Sequence, residues 1–149
     1  MSGSSSERWL QPVVEILTVG LPFCAFKLLT GVIVTRSVQP LGYLLIVLGA
    51  IDLALNTANL AALVAVHRRV SSVCLVELVL RGLGRRAELG LAIDVFLSFG
   101  LVALVIGFSW IPRIPATALP LWNLAVVLNV LGAGVGRLYG ALRPVSSVT

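Results

Sequence analysis

Residues 41–66 read LGYLLIVLGAIDLALNTANLAALVAV, and this stretch decides the fold class. It exceeds the about 20 residues that an α-helix needs to cross the hydrocarbon core of a bilayer. Asp52 is its one charged side chain. A run of this length and composition predicts a transmembrane helix, so we expect lipid to surround at least this part of the chain.

The composition extends this expectation to the whole chain. Of its 149 residues, 58% are hydrophobic and 11% are charged, whereas soluble domains carry about 25% charged residues. The mean hydropathy is +1.06. The net charge of +5 comes from basic residues beside apolar runs and not from a basic face with interleaved aromatics. These values exclude an ordinary soluble domain, and we expect no nucleic-acid partner.

The sequence predicts an all-α, polytopic integral membrane protein with a single membrane domain over residues 1–149. Four apolar runs are long enough to span, at residues 13–35, 41–66, 89–111 and 119–141. Because the connections 36–40 and 112–118 are short and contain proline, the four helices are expected to form two antiparallel hairpins. Residues 70–86 are expected to join them as an amphipathic segment on the cytoplasmic side.

The distribution of arginine predicts the orientation. One side of the predicted membrane carries Arg8, Arg68, Arg69, Arg81, Arg85, Arg86, Arg137 and Arg143, and the other carries Arg36 and Arg113. Under the positive-inside rule, both termini and the central connection face the cytoplasm. Five aromatic residues close to the ends of the runs are expected in the headgroup layer: Trp9, Tyr43, Trp110, Trp122 and Tyr139.

The central connection has the pattern of a short surface helix. Val73, Val76 and Leu80 recur at helical spacing, and Ser71 or Ser72 is placed to cap the N-terminus. We expect five arginines to contact anionic headgroups or a protein partner: Arg68, Arg69, Arg81, Arg85 and Arg86. A cytoplasmic extension of the second span is an equally good interpretation of the same residues.

Ionisable side chains within the runs are the candidate functional residues, because such groups are costly in lipid. Lys27 and Asp52 each lie fourteen residues from the cytoplasmic end of their runs, which is a depth of about 21 Å. They are therefore placed to form an ion pair. Asp94 lies nearer the cytoplasmic side, within reach of Arg85, Arg86 or the interface.

Three asparagines extend this polar intramembrane cluster. Asn56 and Asn59 follow Asp52 on one stripe of the second helix, and Asn129 has a comparable depth in the fourth. The sequence thus predicts a polar interior between spans one, two and four. Its role has two interpretations: the side chains hold the helices together by mutual hydrogen bonds, or they line a proton, ion or small-solute site.

Gly132, Gly136 and Gly140 recur every four residues in the fourth run and predict a smooth face for close helix packing. The partner helix can belong to the same chain or to a second copy. We favour a homo-oligomer, because four helices are a small unit for a transport path.

The sequence has no constellation typical of an enzyme. His67 is the one histidine, the two cysteines are isolated, and no Gly-x-Ser-x-Gly motif occurs. We therefore expect no catalytic residues, no metal site and no cofactor.

Scattered residues carry a family resemblance. Arg8-Trp9-Leu10, Lys27 in the first run, Asp52 before an apolar stretch and Leu121-Trp122 at the start of the fourth run are similar to the YqhA-like inner-membrane proteins. The resemblance covers most of the chain and implies a four-span protein of the bacterial inner membrane, from a family whose members are largely uncharacterised.

Two functions follow as hypotheses. The first is a channel-like or transport-related oligomer that uses the polar cluster. The alternative is an accessory or assembly subunit that binds a larger membrane complex or anionic lipid through the glycine face and the arginines.

Overall fold

A computed structural model describes residues 12–68, 72, 74–84 and 86–142, with side chains described up to residue 135 except at position 87. All regular structure in these ranges is helical, as the sequence predicts. The helices are α1 (Pro12–Val34), α2 (Gln39–Val66), α3 (Leu75–Gly82), α4 (Ala87–Gly107) and α5 (Leu119–Leu142). A 3-10 turn, Ile111–Arg113, lies between α4 and α5.

Three helices are long and apolar enough to cross a membrane: α1, α2 and α4. The apolar part of α5 with described side chains, Leu119–Val135, is shorter. Helix α4 ends four residues before the predicted end of the third run. It ends there because Ser109 takes a left-handed conformation (φ 53°), while the amides of Trp110 and Ser109 bond back to the carbonyls of Val105 and Ile106.

Helix α1 is the central helix of the fold. It contacts α2, α4 and α5, and 67% of its apolar window is buried, against 22% for α2 and for α4. Phe23 and Phe26 form the centre of its core with Trp122 of α5, whose ring centroid lies 5.1 Å from that of Phe26. Trp122 is predicted to lie in the headgroup layer, but it packs inside the protein, where Phe26 is its aromatic partner.

Glycines bring α1 and α2 into close contact. A Cβ atom on Gly42 would lie 2.4 Å from the backbone nitrogen of Thr35, and one on Gly49 would lie 3.1 Å from the Cβ of Lys27. Gly42 faces Thr35, and Gly49, further along α2, faces the earlier residue Lys27 of α1. The two helices therefore run in opposite directions. This close approach sets Lys27 beside α2.

Proline shapes the first half of α1. Residues Ile16–Gly20 form a π-helical segment just before Pro22. Pro22 has no N–H to donate to the carbonyl of Thr18 four residues earlier. The side-chain nitrogen of Asn129 in α5 donates to that carbonyl at 3.4 Å instead. The π segment is thus one place where α5 contacts α1.

The connection between α2 and α4 folds back along α2. Helix α2 ends at Val66, where His67 takes a left-handed conformation. The carbonyl of Ser72 accepts a hydrogen bond from Asn59 (3.0 Å), and the amide of Leu75 donates to Asp52 (2.6 Å). Asp52 lies fourteen residues before Val66, or about 21 Å along the helix axis. Helix α3 therefore neither extends α2 nor lies flat beyond its end.

Apolar side chains cover the outside of the helices. More than half of the surface of each of four such side chains is exposed: Leu44 and Val47 on α2, Phe96 on α4 and Val130 on α5. The charged side chains Asp52 of α2 and Asp94 of α4, by contrast, are buried. An apolar exterior around a polar interior is the arrangement that suits a lipid solvent.

Candidate functional site

Lys27 lies at the centre of a buried charged cluster, the Lys27–Asp52–Asp94 triad. Its Nζ is 2.5 Å from Oδ2 of Asp52 and also contacts Oδ1 of Asp94. All three side chains are at most 6% exposed. The expected ion pair between Lys27 and Asp52 is present in this structure, and Asp94 is an additional partner.

Asp94 pairs with Lys27, whereas the sequence places it within reach of Arg85, Arg86 or the interface. Arg86 is exposed, and Arg85 is outside the described residues. Asp94 is buried because α4 packs against both α1 and α3. The polar interior consequently joins helices α1, α2 and α4, whereas the sequence predicts one between spans one, two and four.

Helix α3 supplies a further donor to Asp52. Oδ1 of Asp52 accepts the amide of Leu75, the first residue of α3, so both carboxylate oxygens of Asp52 have a donor. The N-terminus of a helix carries a partial positive charge and favours an anion at this position. The helix is capped by Cys74, whose Sγ accepts the amide of Glu77 at 3.4 Å, and not by Ser71 or Ser72 as predicted.

The asparagines of α2 connect the triad to its surroundings. Asn56 donates to the carbonyl of Asp52 at 2.8 Å and to the sulfur of Cys24 at 3.7 Å. Asn59 holds the connection through the carbonyl of Ser72. Their amides therefore serve as structural hydrogen-bond donors, which agrees with the interpretation that these side chains hold the helices together.

Asn129 lies apart from the triad and contacts the π segment of α1. On the same face of α5, a Cβ on Gly132 would lie 2.4 Å from the Cβ of Thr18, so this glycine packs within the chain. Gly134 faces open space. Packing of Gly136 and Gly140 against a second copy lies outside the described side chains.

Two cavities adjoin the triad, and Lys27, Asp52 and Asp94 line both of them. One has a volume of about 20 Å³ and is also lined by Glu15, Cys24 and Cys74, among others. The other has about 80 Å³ and apolar walls that include Leu48 and Leu97. Because a cavity of ~10–15 Å³ accommodates one water molecule, these volumes suit one and a few waters respectively.

Two buried hydroxyls near the triad were not singled out by sequence reasoning. Thr30 follows Lys27 by one turn in α1, and Ser98 follows Asp94 by one turn in α4. Both are at most 1% exposed, and neither hydroxyl oxygen has a partner among the described residues. The i+4 spacing of Asp94 and Ser98 is a sequence signal that could have identified one of them.

Cys74 is the buried thiol of the connection. Burial raises the pKa of this thiol from its usual 9.0 to about 12, while the amide of Glu77 acts in the opposite direction. The thiol is accordingly protonated and unreactive at neutral pH.

The arginines of the connection point outward wherever they are described. Arg68, Arg81 and Arg86 are exposed, and Arg69 and Arg85 are outside the described residues. No acidic partner is recorded for Arg68, Arg81 or Arg86 in the described part of the chain. Their contact with lipid headgroups or a partner stays a prediction.

Comparison of the chain with protein-family models, curated proteins and solved structures found no match. The resemblance to the YqhA-like proteins stays a prediction. The candidate site is therefore interpreted from its own geometry.

Proposed function

We propose that this chain is a four-span protein of the bacterial inner membrane with both termini on the cytoplasmic side. Three long apolar helices and the 24-residue helix α5 support the span count. The apolar exterior of α2, α4 and α5 supports a lipid environment. The assignment of both termini to the cytoplasmic side rests on the arginine distribution. The assignment to the bacterial inner membrane rests on the family resemblance.

Within this membrane protein, we propose that the triad is the site of a channel-like or transport-related activity for a small cation, foremost the proton. The observation that carries the proposal is that one buried ammonium contacts two buried carboxylates. One carboxylate is enough to balance the charge of one ammonium. A second carboxylate in a low-dielectric interior gives the triad a capacity to bind a positive species.

The cavity volumes favour a proton over an organic solute. Binding sites for organic ligands usually have about 300–1,000 Å³. The cavities beside the triad have about 20 and 80 Å³. They have room for water, which carries protons, but not for a sugar or an amino acid in this conformation.

Proton flux into vesicles tests the proposal. We expect the reconstituted protein to acidify vesicles that contain a pH-sensitive dye when a potassium diffusion potential is applied. Asp52→Asn should reduce the initial rate about tenfold or more, because it removes one charge of the triad. The matched control is Thr57→Val on the same helix, an exposed position whose hydroxyl donates to the carbonyl of Leu53 one turn earlier. Equal rates for wild type and Asp52→Asn, or no flux above empty vesicles, would refute the proposal.

An accessory or assembly subunit is the second candidate. Gly100 and Gly107 on α4 and Gly134 on α5 each face open space, and exposed glycines on a membrane helix permit close approach of another helix. This role requires no flux through the isolated protein. Vesicles that stay impermeable to protons while the protein is folded would favour it over transport.

A further inference from the structure

We propose that Asp94 is the residue of the triad that binds and releases a proton, at its Oδ2 atom, while Asp52 serves as the fixed counterion of Lys27. This inference deepens the proposed function and rests on it for its physiological purpose. The assignment itself rests on the hydrogen bonds around the two carboxyl groups.

Three of the helices that meet at the triad contribute its charged groups. Helix α1 contributes Lys27, α2 contributes Asp52, and α4 contributes Asp94. The thiols of Cys24 and Cys74 and the side chain of Glu15 line the smaller cavity. With the thiols protonated and Lys27 charged, the three contacting groups carry one excess negative charge. An uncompensated charge is costly at low dielectric, so uptake of one proton neutralises the triad.

Donors occupy both carboxylate oxygens of Asp52. Its Oδ2 accepts from Lys27 at 2.5 Å, and its Oδ1 accepts from the amide of Leu75 at 2.6 Å. The positive end of α3 lies at the same carboxylate group. A proton on either oxygen would have to displace one of these donors.

Asp94 has room for the proton. In the described part of the chain its single polar partner is Lys27, on Oδ1, so Oδ2 has no competing donor. The two carboxyl groups share one ammonium and repel each other, which favours protonation of the less stabilised one. That carboxyl group is Asp94.

Water in the cavities provides the exchange route. Asp94 lines both cavities, and the larger one has space for a few water molecules. A hydronium ion transfers its proton to Oδ2, which forms the O–H bond and leaves neutral water; release is the reverse. The hydroxyls of Ser98 and Thr30 lie one turn beyond the triad in their own helices and can both donate and accept.

Infrared difference spectroscopy on the reconstituted protein, titrated from acid to alkaline pH, tests the assignment. We expect one protonated-carboxyl C=O band that disappears at alkaline pH and shifts in D2O. Asp94→Glu should move the frequency of this band, because the carbonyl then belongs to a glutamic acid. Asp52→Glu should leave the frequency in place, and Asp94→Asn should abolish the band. Melting in detergent verifies that each variant is folded.

The outcomes separate this inference from the proposed function. A band that moves in Asp52→Glu, or the absence of any titrating band in folded protein, overturns the assignment to Asp94. Proton flux without such a band refutes this inference alone. A band that behaves as expected in vesicles without flux supports the proton site and refutes transport.

Discussion

Lys27 determines the energetics of the buried cluster at the scale of single residues. Its ammonium has three N–H donors and no acceptor, and two of those donors contact carboxylates. Apolar side chains, including Leu48 and Leu97, line the larger cavity beside the triad. Removing the ammonium would leave two carboxyl groups close together with no cation to stabilise them.

Substitutions in the triad should therefore be strongly non-additive. We expect Lys27→Met to lower the free energy of unfolding by about 3–5 kcal/mol, the usual effect of breaking a buried ion pair. Adding Asp52→Leu and Asp94→Leu to Lys27→Met should recover most of the lost free energy of unfolding, because the triad then has no buried charge. Thermal unfolding in detergent measures both effects, with Thr57→Val as the control. A triple variant no more stable than Lys27→Met would contradict the electrostatic explanation.

At this scale, the sequence reveals part of the candidate site. Lys27 and Asp52 stand out because ionisable residues are rare in apolar runs, and helix geometry gives them equal depth. Asp94 also belongs to the predicted polar cluster, but the sequence does not identify Lys27 as its partner, because Asp94 lies only about a turn and a half from the cytoplasmic end of its run. The bond from Leu75 to Asp52 depends on a return of the chain that no local pattern indicates.

Among the elements, α3 is the one whose placement most affects the site. It is eight residues long, none of them buried, and it is joined to Asp52 by its first amide. Gly90 of α4 permits its close approach, since a Cβ there would lie 2.5 Å from the Cα of Glu77. Gly100 on the same helix faces open space and is a matched control.

Gly90→Ala should displace α3 and expose the thiol of Cys74. Burial raises the pKa of Cys74 to about 12, and exposure would return it toward 9.0. Each unit by which the pKa of the thiol falls raises its thiolate fraction at neutral pH tenfold, so the gain in reactivity can approach about 1,000-fold. We expect faster alkylation by a maleimide in Gly90→Ala than in Gly100→Ala, both in a Cys24→Ala background. Equal rates would show that the contact between Gly90 and Glu77 does not hold α3 in place.

The raised pKa of Cys74 also gives the sign of a pH effect on stability. The folded state holds the thiol protonated, so its contribution is fully present below pH 9.0, the usual pKa of a cysteine thiol. Above that value the unfolded chain releases the proton and the folded chain keeps it. The protein should thus melt at lower temperature as the pH rises from 9.0 toward 12.

For the whole molecule, the sequence is most informative about the long helices. Apolar length determines them, and the predicted starts and ends of α1, α2 and α5 lie within two residues of those in the structure. Their arrangement around α1 could not be predicted in the same way, because it depends on glycines such as Gly42 and Gly49 meeting a particular neighbour. A glycine facing a neighbour and one facing open space, such as Gly100, look alike in sequence.

The four-span arrangement predicts which loops share a side of the membrane. In a Cys24→Ala, Cys74→Ser background, Leu83→Cys reports on the end of α3, while Ser37→Cys and Thr117→Cys report on the turns after α1 and α4. All three positions are exposed. If α2 and α4 both cross, an impermeant maleimide should label Ser37→Cys and Thr117→Cys from the outside and Leu83→Cys only from the cytoplasmic side.

A fourth reporter, Ser147→Cys, completes the test of the span count. It should label from the same side as Leu83→Cys if α5 crosses the membrane, and from the same side as Thr117→Cys if α5 does not. Labelling of every variant after detergent solubilisation controls for thiol reactivity. Labelling of Ser37→Cys from the same side as Leu83→Cys would show that α2 does not cross the membrane. The triad would then lie outside the bilayer. Its excess carboxylate would there be exposed to a polar solvent and would need no functional explanation.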